Sequence, residues 1–169
     1  LSIILIKYFF KDLKENAKHF SFKKSQKYIT IFLIASILTY LMNLLLETHL
    51  GFMVTNEYEV QQYIINFPIN GLLSSVIFAP FYEELITRLN FRKAFSNKWT
   101  FIIVSSLIFS SIHLISISNS LELLYIIPYM CMSIALGYIY YDSNCIYISM
   151  LYHLLNNLIQ ILLIFGGVL

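Results

Sequence analysis

Long apolar runs with few charges alternate with short polar stretches along most of the chain. A helix needs roughly 20 residues to cross the ~30 Å hydrocarbon core of a bilayer. The runs that approach this length are Tyr28 to Leu46, Pro68 to the Arg92–Lys93 pair, Trp99 to Ile117, Leu121 to Tyr141, and Cys145 to about Val168. The stretch from His49 to Asn66, with Glu57 and Glu59, is typical of a polar connection that can lie along the membrane surface. The pattern therefore predicts an all-α, polytopic transmembrane bundle with about five spanning helices.

The first ten residues, LSIILIKYFF, are apolar but too short to span a bilayer. They predict either the tail of an earlier helix or a segment in the membrane interface. They lack the basic region and the cleavage site of a signal peptide. The chain contains no internal repeat, low-complexity tract or linker, so residues 1–169 are expected to form a single membrane domain.

Composition supports a membrane protein. Of the 169 residues, 59% are apolar and 12% are charged, whereas soluble domains carry about 25% charged residues. A chain of this length cannot bury so much apolar surface in one core. This argues against a soluble enzyme, a disordered regulator and a secreted disulfide scaffold. The net charge of +2 gives no reason to expect a nucleic-acid partner, and Cys131 and Cys145 lack the spacing of a metal site.

Basic residues are confined to two segments of the chain. Four lie around the hinge between the second and third runs, at Arg88, Arg92, Lys93 and Lys98. The others all precede Tyr28, at Lys7, Lys11, Lys14, Lys18, Lys23, Lys24 and Lys27. With five spans both segments fall on the same side of the membrane, and the positive-inside rule predicts that residues 11–27 and 91–98 are cytoplasmic. The amino-terminal cluster is interpreted as a lipid-facing charge patch.

Ionisable and amide side chains within the predicted spans are concentrated in three of them. An ionisable group costs roughly 2.5–3.5 kcal/mol at the centre of a spanning helix, so its presence marks a functional site by default. The set comprises Glu83, Glu84 and Arg88 in the second span, His113 in the third, and His153, Asn156 and Asn157 in the fifth. This concentration points to a polar site inside the membrane.

The spacing of these residues allows three of them to meet. If the second and third spans form a hairpin that turns near Asn97, Glu83 lies 14 residues before the turn and His113 lies 16 residues after it. At about 1.5 Å per residue, both sit roughly 21–24 Å from the turn. His153 is ten residues beyond a turn near Ser143, roughly 15 Å away, and it joins them if the fifth span tilts. We expect Glu83, His113 and His153 to converge on one cavity.

The second span contains two further local signals. Glu84 and Arg88 are spaced i,i+4 and can pair along one helix face. This pairing neutralises one carboxylate and leaves Glu83, on an adjacent face, as the reactive one. Pro80 lies just before the acidic pair, and in the middle of a helix it frees a carbonyl and produces a kink.

Three motifs in these spans resemble those of a known family. The run APFYEELITR from Ala79 to Arg88 matches the pattern E-E-x-x-x-R. The segment from Phe109 to His113 matches F-x-x-x-H, and the segment from His153 to Asn157 matches H-x-x-x-N. Their order, and their placement in separate spans, resemble the CPBP family (CAAX proteases and bacteriocin-processing enzymes, or Abi) of intramembrane proteases. Thr87 and Leu89 depart from that family, which usually has an aromatic residue and Gly there.

The resemblance covers residues 68–168, which would form a CPBP-like catalytic core. It implies hydrolysis of a peptide bond in a membrane-associated peptide or protein, within the lipid bilayer. Glu83 and His113 would activate water, while His153 and Asn157 would stabilise the oxyanion. The expected catalytic residues are Glu83, Glu84, His113, His153 and Asn157, with Arg88 and Phe109 in support.

No cofactor is favoured, although alternatives stay open. Glu83, His113 and His153 could hold zinc with one position left for water, but the chain has no H-E-x-x-H motif and Asn157 has no obvious role as a zinc ligand. Two other function classes are an idle relative that scaffolds or regulates a partner enzyme, and a redox protein with haem between the two histidines.

The residue usage, rich in Ile, Lys, Asn and Tyr, is typical of a bacterial plasma-membrane member, for which a prenylated CAAX substrate is less expected.

Overall fold

The computed structural model describes residues 2–167, and every regular element within that range is helical. A 3₁₀ helix, Ser120–Tyr125, leads directly into the α-helix that begins at Ile126. The α-helices are α1 (Ser2–Ala17), α2 (Phe22–Gln26), α3 (Ile29–Leu50), α4 (Thr55–Asn66), α5 (residues 68–92), α6 (Lys98–Ile112), α7 (Ile126–Ser143) and α8 (Ile146–Phe165). The all-α bundle predicted from the apolar runs is confirmed.

Three helices in the described range are long and apolar enough to cross a membrane, namely α3, the continuous stretch Ser120–Ser143, and α8. α6 is apolar but has only 15 residues. On α3, the side chains of Leu33, Ile34 and Ile37 are exposed. Exposed aliphatic side chains on a spanning helix face lipid. The apolar runs predicted for the second and third spans are helical, but neither forms one long regular α-helix.

The helix α5 is interrupted by two π-helical segments. Its α-helical segments Pro68–Leu72, Ala79–Glu84 and Asn90–Arg92 are separated by the π-helical segments Leu73–Phe78 and Leu85–Leu89. Single-turn π segments inside α-helices are frequently found at functional sites. Here one π segment lies on either side of the acidic pair of the second span. Hydropathy indicates the position of α5 but carries no signal for these changes of pitch.

The third predicted span ends earlier than its apolar run. α6 ends at Ile112, so the prediction of a helix as far as Ile117 is wrong. The carboxylate of Glu122 accepts hydrogen bonds from the backbone N–H groups of Ser118 and Asn119 at 3.0 and 3.1 Å. Asn119 and Glu122 form a capping box at the start of the 3₁₀ helix. This cap holds the chain in a turn, which an apolar pattern alone does not predict.

Two asparagines form the turns that bring the later helices together. Asn97 caps α6 and accepts hydrogen bonds from the backbone N–H groups of Trp99 and Thr100 at 2.9 and 3.0 Å. Asn144 adopts a left-handed conformation with φ of 52° and ends α7. The turns predicted near Asn97 and Ser143 are therefore confirmed. α7 packs against α3, α6 and α8 and forms the centre of the bundle.

The two basic segments lie at one end of the bundle. Lys93, after α5, forms an ion pair with Asp12 on α1 at 2.7 Å, and Lys27, before α3, forms one with Asp142 on α7 at 2.7 Å. α1 itself packs against α8. These contacts hold both basic segments at the same end of the helical bundle.

Candidate active site

Glu83 on α5, His113 at the end of α6 and His153 on α8 meet inside the bundle. Glu83 Oε2 lies 3.8 Å from His113 Nε2 and 3.5 Å from His153 Nε2. This oxygen is buried and has no hydrogen-bond partner among the described residues. The depths estimated from helix rise therefore agree with the structure, including the position of His153. The separations leave the carboxylate oxygen available to an atom that enters between the three side chains.

The end of α6 fixes the orientation of His113. Its Nδ1 lies 2.8 Å from the carbonyl oxygen of Phe109, one turn earlier. A carbonyl only accepts hydrogen bonds, so Nδ1 carries the proton, and in the neutral ring Nε2 is an acceptor that faces Glu83. The imidazole packs against the rings of Phe109 and Tyr129, with centroids 4.5 and 4.8 Å away. His113 is thus positioned to accept a proton beside the carboxylate.

His153 lies between two carboxylates. Its Nδ1 is 3.3 Å from Glu84 Oε1, while its Nε2 faces Glu83. Glu84 is fully buried, and its Oε2 accepts a hydrogen bond from Ser149 Oγ at 2.6 Å. Both ring nitrogens face carboxylate oxygens, which only accept hydrogen bonds, and a protonated Nε2 is a hydrogen-bond donor beside Glu83.

Arg88 provides the opposite charge for Glu84. Arg88 Nε lies 3.7 Å from Glu84 Oε2, and both side chains are completely buried. The guanidinium donates to Ser105 Oγ at 2.8 Å, to the Ser133 carbonyl at 2.8 Å and to the Ser133 hydroxyl. The guanidinium carbon, Arg88 Cζ, lies 5.5 Å from the centroid of the Phe109 ring. The predicted i,i+4 pair is present, and it holds Glu84 in place behind His153.

Asn157 is oriented by a backbone carbonyl that α5 leaves free. In the first π segment the Ala79 N–H donates to the Ser74 carbonyl, five residues earlier. Pro80 has no N–H, so it cannot donate to Ser75 in the same way. The Ser75 carbonyl instead accepts a hydrogen bond from Asn157 Nδ2 at 2.8 Å. One amide hydrogen of Asn157 is then used, and the other is left for a group in the site.

These catalytic candidates line one cavity of about 440 Å³. Glu83, His113, His153 and Asn157 contribute to its wall. Glu84, which we also expected among the catalytic residues, is not part of this wall. It acts on the cavity through its contact with His153, and Arg88 acts through its ion pair with Glu84, whereas Phe109 is itself part of the wall.

Sequence reasoning missed several further contributors to the cavity wall, among them Tyr129, Ser75 and Glu57. No motif or periodicity marks Tyr129, whose ring packs on His113. The role of the Ser75 carbonyl depends on a π segment that hydropathy does not reveal. Glu57 did carry a signal, as an acidic residue between two spans. The sequence predicts a surface connection there, whereas α4 places Glu57 against the cavity.

The donor groups of the site include types that bind zinc. Within residues 2–167, no group of three or more His, Cys, Asp and Glu side chains has the arrangement of a metal site. Glu83, His113 and His153 offer suitable ligand atoms, but in this structure they do not form such a group. The Glu83 carboxylate also lies against both imidazoles, where a haem between the two histidines would have to sit.

A comparison with protein families identifies a match. The family model described as type II CAAX prenyl endopeptidase, Rce1-like, matches residues 65–159, which is more than half of the chain. All three motifs lie within the matched segment. No curated protein and no solved structure matches the chain.

Proposed function

The chain belongs to the Rce1-like family of type II CAAX prenyl endopeptidases, and we propose that it hydrolyses a peptide bond of a membrane-associated peptide or protein. The observation that carries this proposal is Glu83 Oε2, a carboxylate oxygen that is buried, has no hydrogen-bond partner among the described residues and is flanked by two imidazoles in a cavity. A structural carboxylate at this depth would be expected to have its hydrogen bonds satisfied. An unsatisfied one is suited to hold and deprotonate a water molecule.

The proposed mechanism uses side chains of this chain alone. A water molecule between Glu83 and His113 loses a proton to Glu83 as its oxygen attacks the substrate carbonyl carbon. The oxyanion that forms accepts hydrogen bonds from His153 Nε2–H and from the free Asn157 amide hydrogen. The C–N bond then breaks, and Glu83 returns the proton to the leaving amine. The new carboxyl terminus therefore contains one oxygen from water.

The proposed chemistry predicts activity without a metal ion. The full chain, purified in lipid nanodiscs, is expected to cleave internally quenched apolar peptides before and after treatment with a chelator. Its metal content by mass spectrometry is expected to be far below one zinc per chain. One zinc per chain, with activity lost on chelation and restored by zinc, would reassign Glu83, His113 and His153 as ligands. Absence of cleavage under both conditions would contradict the proposed function.

A second prediction concerns the oxyanion site. Asn157→Ala is expected to lower kcat by roughly 10²–10³-fold, because one preorganised donor to the oxyanion contributes about 3–4 kcal/mol. KM should change little, since this donor acts mainly in the transition state. Gln160→Ala, in the same cavity wall, provides the control and should retain nearly full kcat. A large rise in KM with kcat unchanged would assign Asn157 to substrate binding instead.

The basic segments also support a proposal about orientation, namely that their end of the bundle is cytoplasmic. In a chain with Cys131 and Cys145 replaced by Ser, Ser96→Cys should resist a membrane-impermeant thiol reagent in intact cells. Thr48→Cys, near the far end of α3, should react. Labelling of Ser96→Cys from outside, with Thr48→Cys protected, would show that the topology is the opposite of the proposed one.

A further inference from the structure

The cavity extends beyond the catalytic group to a second polar wall. This wall, which we term the acidic wall, consists of Asn43 and Glu47 from α3 and Glu57 from α4. Together with Glu83, three carboxylates line the cavity, whereas no Lys or Arg side chain among the described residues does. A cavity with this balance of charge attracts cations and repels anions.

Tyr129 links the acidic wall to the catalytic group. Its ring packs on His113, with centroids 4.8 Å apart, and its hydroxyl accepts a hydrogen bond from Asn56 Nδ2 at 3.2 Å. Glu57 follows Asn56 in α4 and lies beside the same hydroxyl. The acidic wall is therefore about one tyrosine side chain away from His113. A strand advances about 3.3 Å per residue, so the wall faces substrate residues close to the scissile bond.

α4 is held firmly enough to keep Glu57 in this position. Glu122 accepts hydrogen bonds from the Thr55 backbone N–H at 2.7 Å and from the Thr55 hydroxyl at 3.0 Å. At the other end of α4, Gly71 on α5 packs so closely that a Cβ atom would lie 2.8 Å from Ile64 Cα. The two contacts fix α4 at both ends. The acidic wall is thus preformed, which lowers the free-energy cost of binding.

One side-chain oxygen of the acidic wall has no hydrogen-bond donor among the described residues. The side-chain oxygen of Asn43 is buried and accepts no hydrogen bond among the described residues. Burial and the nearby Glu47 carboxylate raise the pKa of Glu57 to about 7, an effect that the neighbouring Tyr129 and Asn43 only partly oppose. A cation placed here would interact with both carboxylates and with the free amide oxygen.

We propose that the acidic wall binds a Lys or Arg side chain of the substrate, close to the scissile bond. This inference rests on the proposed function, because it takes a peptide as the occupant of the cavity. The same wall would repel a free carboxyl terminus placed beside it. The preferred substrate accordingly carries a basic residue near the cleavage site.

The test uses internally quenched apolar octapeptides in which one position carries Lys, Glu or norleucine, scanned along the peptide. For wild-type protein in nanodiscs, we expect one position at which Lys raises kcat/KM by about tenfold or more over norleucine, as for a charge-assisted hydrogen bond. Glu57→Gln should remove most of this preference. Glu57→Lys should reverse it in favour of Glu. Glu59→Gln, an exposed residue of the same helix, should leave it unchanged.

A binding measurement separates this inference from the proposed function. In a Glu83→Gln background, the Lys peptide should bind by fluorescence anisotropy about tenfold more tightly than the norleucine peptide, and Glu57→Gln should abolish the difference. Cleavage without a Lys preference, or with one that Glu57→Gln leaves intact, would overturn the acidic-wall proposal alone. Binding that depends on Lys and Glu57, but with no cleavage by wild-type protein, would overturn the proposed function alone. Neither cleavage nor Lys-dependent binding would overturn both.

Discussion

Glu83→Gln is expected to abolish peptide cleavage while the helical bundle stays folded. The amide has nearly the shape of the carboxylate but cannot accept the proton from water. A positioned general base raises the reaction rate by about 10²–10⁴-fold. Glu83 Oε2 has no hydrogen-bond partner among the described residues, so the substitution removes no such bond from that oxygen. The measurement is kcat with quenched peptides, together with the thermal unfolding temperature in detergent.

The exposed residue Glu59 provides the matched control for this substitution. Glu59→Gln removes one negative charge outside the cavity, and its kcat should equal that of the wild type. An unfolding temperature of Glu83→Gln close to the wild-type value would show that lost activity is a chemical effect. Retention of more than a few per cent of wild-type kcat by Glu83→Gln would remove the general base from the mechanism.

Glu84→Gln is expected to produce the largest loss of stability. It leaves the Arg88 guanidinium completely buried without its carboxylate partner, and breaking one side of a buried ion pair costs about 3–5 kcal/mol. The variant should also lower kcat, because the anion at His153 Nδ1 is lost. The free energy of unfolding is measured by reversible denaturation in mixed micelles.

The double variant Glu84→Gln/Arg88→Met supplies the control for the ion pair. It removes both buried charges, so much of the lost free energy of unfolding should return. Its kcat should stay low, since His153 still lacks the Glu84 carboxylate. A Glu84→Gln protein as stable as the wild type would show that the hydrogen bonds of Arg88 to Ser105 and Ser133 suffice to hold its charge.

Much of the bundle could be predicted from the sequence because its helices and its turns are both marked by local sequence patterns. Apolar runs mark the helices, and Asn97 and the Ser143–Asn144 region mark the turns between them. Once these turns are set, helix rise alone places Glu83 and His113 at similar depths. The i,i+4 spacing likewise predicts the pair of Glu84 and Arg88, which the structure contains.

The remaining features depend on contacts between distant segments. Glu122 ends the third span early by binding the backbone of the turn, and it also anchors Thr55, 67 residues earlier in the chain. The orientation of Asn157 depends on a carbonyl of Ser75 in a π segment. Hydropathy records neither kind of contact. For the same reason the sequence predicts a surface position for Glu57, whereas the structure places it in the cavity wall.

The most direct test of the central claim is a search for new carboxyl termini produced by the purified protein. A peptide library is incubated with the nanodisc-embedded chain in ¹⁸O-labelled water with chelator present, and the products are identified by mass spectrometry. We expect wild-type protein to generate cleavage products with one ¹⁸O in each new carboxyl terminus, and Glu83→Gln to generate none. Equal sets of products from the two proteins, or no products from either, would contradict hydrolysis by a water molecule activated at Glu83.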